Sequence, residues 1–328
     1  MSTLKDWAQL VRIPNTLTSC ADVLAGMCIA GGTAHSFVQH PLAAIVGASA
    51  SIMLYWSGMA INDVFDIEED RQADRSGPIV SGRIDWRTAR NAGIALMVLG
   101  VLASVVAYAC MPPVAWQQAL MPLAVAILLA FSILAYDGPL KKTILAPAVM
   151  GLCRALNMGL GVVIVMSALG TRIEPTALWP LLGHGVYVTG FTIAARKESD
   201  AKQMRWRLIL GWLVAAAGIS IFALGSYSYP GRAFGLGVAD DSRSSLDSSR
   251  YTYAILFGLL SLPLARRAYE SIATLEPRRL GLAIKQAIVT ILFFDGVIAL
   301  HYSGSLPGIL ICLLVIPSTL LGRFFRST

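Results

Sequence analysis

Four side chains with metal-binding oxygens lie at helical spacing directly after an apolar stretch of the chain. They are Asn62, Asp63, Asp66 and Asp70, in the segment NDVFDIEED. At about 100° per residue they fall within a stripe about 100° wide, which is one face of a helix. Carboxylates stacked in this way repel one another unless a cation compensates them. Hard oxygen ligands at this spacing suit Mg²⁺, which also accepts water and phosphate oxygens.

A solvated acidic helix end at a membrane surface is the simpler interpretation of this segment. It accounts for Glu68 and Glu69, but not for Asn62 and Asp63 at the edge of an apolar span. Ionisable groups at that depth are candidates for function. The residues therefore favour a site over a solvated helix end.

A basic loop with turn-forming residues follows the acidic segment. It runs DRQADRSGPIVSGRI and contains Arg71, Arg75 and Arg83. Arginine can clamp phosphate oxygens with two hydrogen bonds, and cations screen the phosphate charge. Carboxylates followed by arginines are thus the arrangement needed to hold a metal-diphosphate.

The composition indicates that these residues are positioned by membrane helices. The 328 residues are 56% hydrophobic and 14% charged, whereas a soluble domain is about 45–50% apolar and about 25% charged. This excludes a disordered chain, a disulfide-rich secreted module and an ordinary cytosolic enzyme. We predict an all-α, polytopic bundle of nine or ten transmembrane helices. The candidate spans are 17–36, 42–61, 88–110, 116–136, 144–168, 176–195, 206–226, 251–268, 282–302 and 306–323.

The basic residues sort by loop and predict the orientation of the chain. Of the 26 lysines and arginines, all lie on one predicted side except Arg154, Arg172, Arg232, Arg243 and Arg250. The positive-inside rule places that side, with the N-terminus and the acidic segment, in the cytoplasm. The net charge of +7 is thus a topology signal and does not indicate nucleic-acid binding. We predict one domain over residues 1–328, with a flexible non-cytoplasmic loop at about 228–250.

Further polar residues lie within or beside the predicted spans. Arg154 and Asn157 fall near the middle of the fifth span, where a charged side chain faces a polar cavity or an internal partner. Asp22 and Asp295 are the alternative partners of Arg154. Lys141 precedes this span, and positive-inside anchoring is the simpler interpretation of its charge.

The acidic segment and its loop resemble the first aspartate-rich motif of the UbiA superfamily of intramembrane prenyltransferases. That pattern is N-D-x-x-D-x-x-x-D followed by a loop similar to R-P-I-x-S-G-R. The chain departs from it at Gly77, where the family usually has an arginine. The resemblance covers roughly residues 8–300. It implies an Mg²⁺ site at Asn62, Asp63, Asp66 and Asp70.

The second motif of the family, D-x-x-x-D, should end the sixth span, where this chain reads ARKESD. Arg196 and Lys197 could replace a second Mg²⁺ by contacting phosphate, or the site no longer performs the usual chemistry. The RALN and ARKES runs look closest to the EboC-like branch. The resemblance implies catalytic roles for Asp63, Asp66 and Arg154. The remaining diphosphate-binding candidates are Asn62, Asp70, Arg75, Arg83, Lys141, Asn157, Arg196, Lys197, Glu198 and Asp200.

The family implies transfer of a prenyl group from a prenyl diphosphate to a small aromatic or lipophilic acceptor, with Mg²⁺ assisting departure of diphosphate. The expected location is the cell membrane of a bacterium, with the active-site face in the cytoplasm. Two alternatives belong to other classes of protein. One is a UbiA-like protein that binds or moves a lipid or prenylated metabolite without catalysis. The other is an unrelated transporter, which paired interrupted helices would favour.

Overall fold

The computed structural model describes residues 3–73, 76–111, 116–172, 175, 178–196, 200–228 and 244–324. Thirteen α-helices and one 3₁₀ turn (Trp116–Ala119) account for most of this part of the chain. The helices are α1 (Leu4–Leu10), α2 (Ile13–Gly31), α3 (Pro41–Phe65), α4 (Ile67–Gln72), α5 (Trp86–Ala109), α6 (Leu120–Asp137), α7 (Ala146–Leu169), α8 (Leu178–Ala195), α9 (Ala201–Ser228), α10 (Ser244–Thr274), α11 (Pro277–Ser303), α12 (Ser305–Leu313) and α13 (Val315–Phe324).

The predicted all-α membrane bundle is confirmed. Within the described residues, eight helical segments are long and apolar enough to cross a membrane, the last being α12 and α13 together. The other two long helices are α8, which packs between α7 and α9, and α10, which packs on α9 and α11. Each of the ten predicted spans thus corresponds to helix.

Several boundaries differ from the sequence prediction. The first span ends at Gly31 instead of residue 36, because Gly32 takes a positive φ of 54° and turns the chain. The last span is broken near Leu314, close to Pro317, whose ring cannot donate a helical hydrogen bond. The predicted loop at 228–250 falls largely outside the described residues, and its final part from Ser244 is already helix α10.

Burial separates central helices from peripheral ones. In the most apolar window of each helix, 67% of α7 and 61% of α2 and α11 are buried, against 28% of α5 and α6. A helix buried on all sides belongs to the interior of the bundle, and one exposed along an apolar face suits lipid contact. The central helices α2, α3, α7 and α11 are therefore the ones able to carry polar side chains inside the membrane.

Two small residues let α2 and α7 pack with their backbones in contact. A Cβ atom added to Gly161 would lie 2.0 Å from the Val23 carbonyl oxygen, and one added to Gly26 would lie 2.0 Å from the Met158 carbonyl oxygen. Only glycine permits such an approach. This contact holds the polar residues of α2 directly against those of α7.

Candidate active site

A cavity of about 210 Å³ lies inside the bundle between α2, α3, α6, α7 and α8. Leucine, isoleucine, valine and phenylalanine side chains form much of its wall. Polar and charged side chains from α2, α3, α6, α7 and α8 interrupt that wall. They are Asn15, Ser19, Ser51, Tyr55, Tyr136, Asp137, Arg154, Asn157 and Thr192, together with Arg12 from the turn before α2. The cavity can thus accept a molecule that is mainly apolar and has a polar group.

The acidic segment lies beside this cavity, at the end of α3. Asn62 and Asp63 lie on the last turn of α3, and Asp66 forms the joint between α3 and α4. Backbone bonds from Asp66 to Asn62 and from Asp70 to Asp66 continue the helical spacing across this joint. The side chains consequently stay close together, as the helical stripe predicts, although one unbroken helix does not carry them.

Two cations from other parts of the chain reach Asn62, Asp63 and Asp66. The Lys141 ammonium donates to Asn62 Oδ1 at 2.7 Å and pairs with the Asp66 carboxylate. The Arg12 Nη2 lies 3.1 Å from Asp63 Oδ1. Loops that are distant in sequence therefore supply the positive charge that the stacked carboxylates require.

Arg12 is a site residue that the motif analysis did not select. It lines the cavity as well as pairing with Asp63. Its backbone is in the left-handed region, with φ of 50°, at the break between α1 and α2. The run Arg12-Ile13-Pro14-Asn15 before the first span was the available signal in the sequence.

Asp137 is a second residue that the motif analysis passed over. It ends α6, is only 4% exposed, and lines the cavity. Its charge is close enough to those of Lys141, Asp66, Arg12 and Asp63 to interact with them. An aspartate at the end of a long apolar run was the signal for this position.

Arg154 and Asn157 occupy the cavity wall. Arg154 Nη1 donates to Asp22 Oδ2 at 2.9 Å, and Nη2 donates to Thr18 Oγ1 at 3.0 Å. Asn157 donates to the same Asp22 oxygen at 2.9 Å and accepts a bond from Ser51. Of the two partners considered for Arg154, the direct ion pair is with Asp22.

Arg83, a predicted diphosphate ligand, contacts α1 in this structure. Its guanidinium donates to Asp6 Oδ1 at 2.7 Å, to Gln9 on α1 and to Ser81. It therefore fastens the loop to α1 instead of reaching the carboxylates of α3. The reason is local, since the Asp6 carboxylate is buried and needs a cation.

The second predicted motif is only partly described. Asp200 is exposed and accepts a hydrogen bond from the Gln203 backbone N–H, so it caps α9 and does not line the cavity. Arg196, just beyond α8, does not line the cavity either. Lys197 and Glu198, like Arg75 of the first loop, lie outside the described residues. Asp70 lies close enough to Asp63 for their charges to repel.

The fold and site together define an integral membrane protein whose helices enclose an apolar cavity next to a carboxylate and cation cluster. The model of the UbiA prenyltransferase family matches residues 21–238. The chain belongs to the UbiA prenyltransferase family.

Sequence comparison finds archaeal relatives. The chain is 28% identical over 193 residues to a digeranylgeranylglyceryl phosphate synthase of Sulfolobus acidocaldarius, which covers 58% of this chain and 61% of that protein. It is 37% identical over 99 residues to the synthase of Ignicoccus hospitalis, covering 30% of each chain. The chain thus matches less than two thirds of the length of these curated relatives.

Comparison with solved structures supports the fold. A UbiA homologue from Archaeoglobus fulgidus bound to GPP and Mg²⁺ matches with a TM-score of 0.60 and 13% identity, covering 94% of this chain and 99% of the other. A UbiA homologue from Aeropyrum pernix K1 matches with a TM-score of 0.57 and 15% identity, covering 94% and 98%. At this identity the likeness concerns the arrangement of the helices.

Proposed function

We propose that this protein is an Mg²⁺-dependent prenyltransferase that moves a prenyl group from a prenyl diphosphate to a small aromatic or lipophilic acceptor. One observation carries the proposal. Lys141 and Arg12 converge on Asn62, Asp63 and Asp66 beside a largely apolar cavity. A prenyl diphosphate has the same two parts, a charged head and an apolar chain.

The donor atoms beside the cavity fit Mg²⁺. Asn62, Asp63 and Asp66 offer oxygen ligands. Asp70 adds a further carboxylate one helical turn beyond Asp66. Cationic nitrogens of Lys141 and Arg12 already lie against these oxygens, which marks the position as one that favours positive charge. When bound, Mg²⁺ would neutralise the charge that develops on the leaving diphosphate.

The side chains of this protein would act at both ends of the substrate. Lys141 and Arg12 would donate hydrogen bonds to the diphosphate as its bond to the prenyl carbon breaks. The apolar walls would hold the prenyl chain and exclude water, which would otherwise capture the allylic cation. The acceptor then forms the new bond to carbon and releases a proton, and inorganic diphosphate leaves.

Arg154 and Asn157 would bind the polar group of the acceptor at the cavity wall. Asp22 pairs with Arg154 and so offsets its charge. A paired guanidinium can still donate hydrogen bonds, but it repels a developing allylic cation less than a free one would. This arrangement supports an acceptor with a hydroxyl or other polar group.

The relatives support a prenyl donor, and the basic loops support the orientation of the chain in the membrane. The relatives named above are digeranylgeranylglyceryl phosphate synthases, which supports a prenyl donor for this chain as well. The basic loops support a cell-membrane protein whose acidic segment faces the cytoplasm.

The test is diphosphate release by the purified protein in lipid nanodiscs. The protein would be incubated with Mg²⁺, prenyl diphosphates of several lengths and candidate acceptors. We expect release of diphosphate together with a prenylated product, and loss of both in D63A and D66A. Release that persists in both variants, or that survives chelation of Mg²⁺, would contradict the proposal.

A non-catalytic binder of the same ligands is the second candidate. Asp200 caps α9, so the described part of the second motif offers the cavity no carboxylate. Tight binding of prenyl diphosphate without product from any acceptor would favour this candidate over the transferase.

A further inference from the structure

A buried histidine lies between two aspartates from other helices, deep inside the bundle. His184 of α8 is 1% exposed, and Asp22 of α2 and Asp295 of α11 are fully buried. His184 Nε2 lies 3.4 Å from Asp22 Oδ1, and His184 Nδ1 lies 3.6 Å from Asp295 Oδ1. Each ring nitrogen thus faces a different carboxylate.

The polar atoms at the centre of this cluster have no partners outside it in the part of the chain that the structure describes. Among the described residues, no hydrogen bond reaches Asp22 Oδ1, either oxygen of Asp295 or either nitrogen of His184. The second oxygen of Asp22 is taken by Arg154 and Asn157, which leaves Oδ1 directed at the imidazole. Unsatisfied polar atoms at this burial are costly, and two buried carboxylates that face one imidazole favour an added positive group.

Hydrogen-bond geometry points to a proton as that group. A neutral imidazole has one N–H and one lone pair. With both carboxylates ionised, the lone pair of His184 would face the lone pair of a carboxylate oxygen. One added proton, on the imidazole or on a carboxyl, turns this repulsion into a hydrogen bond.

The charge count leads to the same result. Two carboxylates and the Arg154 guanidinium leave one negative charge in excess, and one proton removes it. The other titratable side chains near the cluster are Cys20, Cys312 and Tyr55, which are uncharged at neutral pH. A divalent metal ion would instead leave a buried positive charge.

We propose that Asp22, His184 and Asp295 together retain one proton at neutral pH, and that the resulting neutral network holds the Arg154 guanidinium at the cavity wall. Asp22, His184 and Asp295 are then positioning residues, because they act on the cavity through Arg154. This second part rests on the proposed transferase function, whereas the proton itself is measured without turnover.

Spectroscopy of the protein in nanodiscs at pH 7 tests whether the cluster retains a proton. Nitrogen NMR of ¹⁵N-histidine would be assigned by comparing wild type with H184Q, and H301Q is the matched control at another histidine. We expect either a His184 ring protonated on both nitrogens or the infrared band of a protonated carboxyl that D22N or D295N removes. A neutral His184 without such a band overturns the proposal, as does a stoichiometric metal ion that D295N releases.

Kinetics test the positioning. D22N removes the oxygen charge that orients Arg154, so we expect kcat to fall about 100-fold. KM for the prenyl diphosphate should stay constant, because Lys141 and Arg12 hold that end. D295N removes one charge while the network gives up its proton, so its loss in kcat should be much smaller. The positioning role would be overturned if kcat fell equally in D22N and D295N and in proportion to the loss of folded protein.

Discussion

Two adjacent lysines after α6 have different surroundings, although the sequence presents them as a pair. Lys141 contacts Asn62 and Asp66, and its side chain is 25% exposed. Lys142 is 84% exposed and lies 3.4 Å from Glu69 at the surface. An exposed ion pair contributes little to stability. We therefore expect Lys141, and not Lys142, to act in the site.

This contrast gives a matched pair of variants. We expect K141A to lower kcat for diphosphate release by about 10²–10³-fold, as loss of one donor to a developing anion typically does. K142A removes the same charge from the same loop and should remain near wild type. The two rates, measured at saturating substrate, check the prediction, which fails when both variants lose activity equally.

At the scale of elements, the contact between α2 and α7 determines the geometry of the cavity wall. It places Asp22 against Arg154 and Asn157, and it depends on Gly26 and Gly161. A side chain at either glycine would force the two backbones apart. The polar network would then lose its hydrogen-bond distances.

We therefore expect G161V to destabilise the protein by about 1–3 kcal/mol, the usual cost of overpacking, and to abolish activity. G258V is the matched control, since a Cβ atom at Gly258 meets no atom within 4 Å. Thermal unfolding in nanodiscs followed by tryptophan fluorescence measures both variants. An unchanged midpoint for G161V would contradict the close contact.

The short helix α1 is attached through a buried carboxylate outside the membrane spans. Hydrogen bonds from the backbone and side chain of Thr3 hold the pKa of Asp6 below its ordinary value of 3.8, and the Arg83 guanidinium lowers the pKa further. Since the folded pKa is lowered, the carboxylate stabilises the attachment above the ordinary pKa. This contribution is lost as pH falls through the lowered value.

Amide hydrogen exchange in residues 4–10, corrected for intrinsic rates, checks this attachment. Exchange should rise in wild type below about pH 4 and be raised already at neutral pH in D6N. R83A should resemble D6N, because it removes the partner cation. Equal protection of α1 in wild type and D6N at pH 7 would refute the link.

At the scale of the whole molecule, the peripheral helices present apolar side chains outward while the polar groups lie inside or at one end. Leu99 and Leu102 on α5 and Phe131 on α6 are each more than half exposed. In water such a surface would aggregate, whereas in lipid it is the favoured exterior. The outer surface of the protein is thus suited to contact with lipid.

Cysteine labelling tests the orientation that the basic loops predict. In a background without native cysteines, K142C should react with a membrane-impermeant thiol reagent only from the cytoplasmic side. R172C should react only from the opposite side, and both positions are exposed. Labelling of both variants from one side would overturn the predicted topology.

The sequence by itself determined the membrane class, the positions of the helices and the carboxylate segment Asn62–Asp70. Composition, apolar run length and 3.6-residue spacing are local properties, so a single chain displays them. Tertiary structure decided which distant charges meet these residues. It brought Arg12 to Asp63, Lys141 to Asn62 and Asp66, and Arg83 to Asp6.

His184, Asp22 and Asp295 show the same division most clearly. Each lies in the apolar part of a different helix, and the residues next to it in sequence do not indicate its partners. Helix packing brings them together, because buried charges inside a membrane must find one another. The sequence could place the ionisable groups in the bilayer, but only the arrangement of α2, α7, α8 and α11 could pair them.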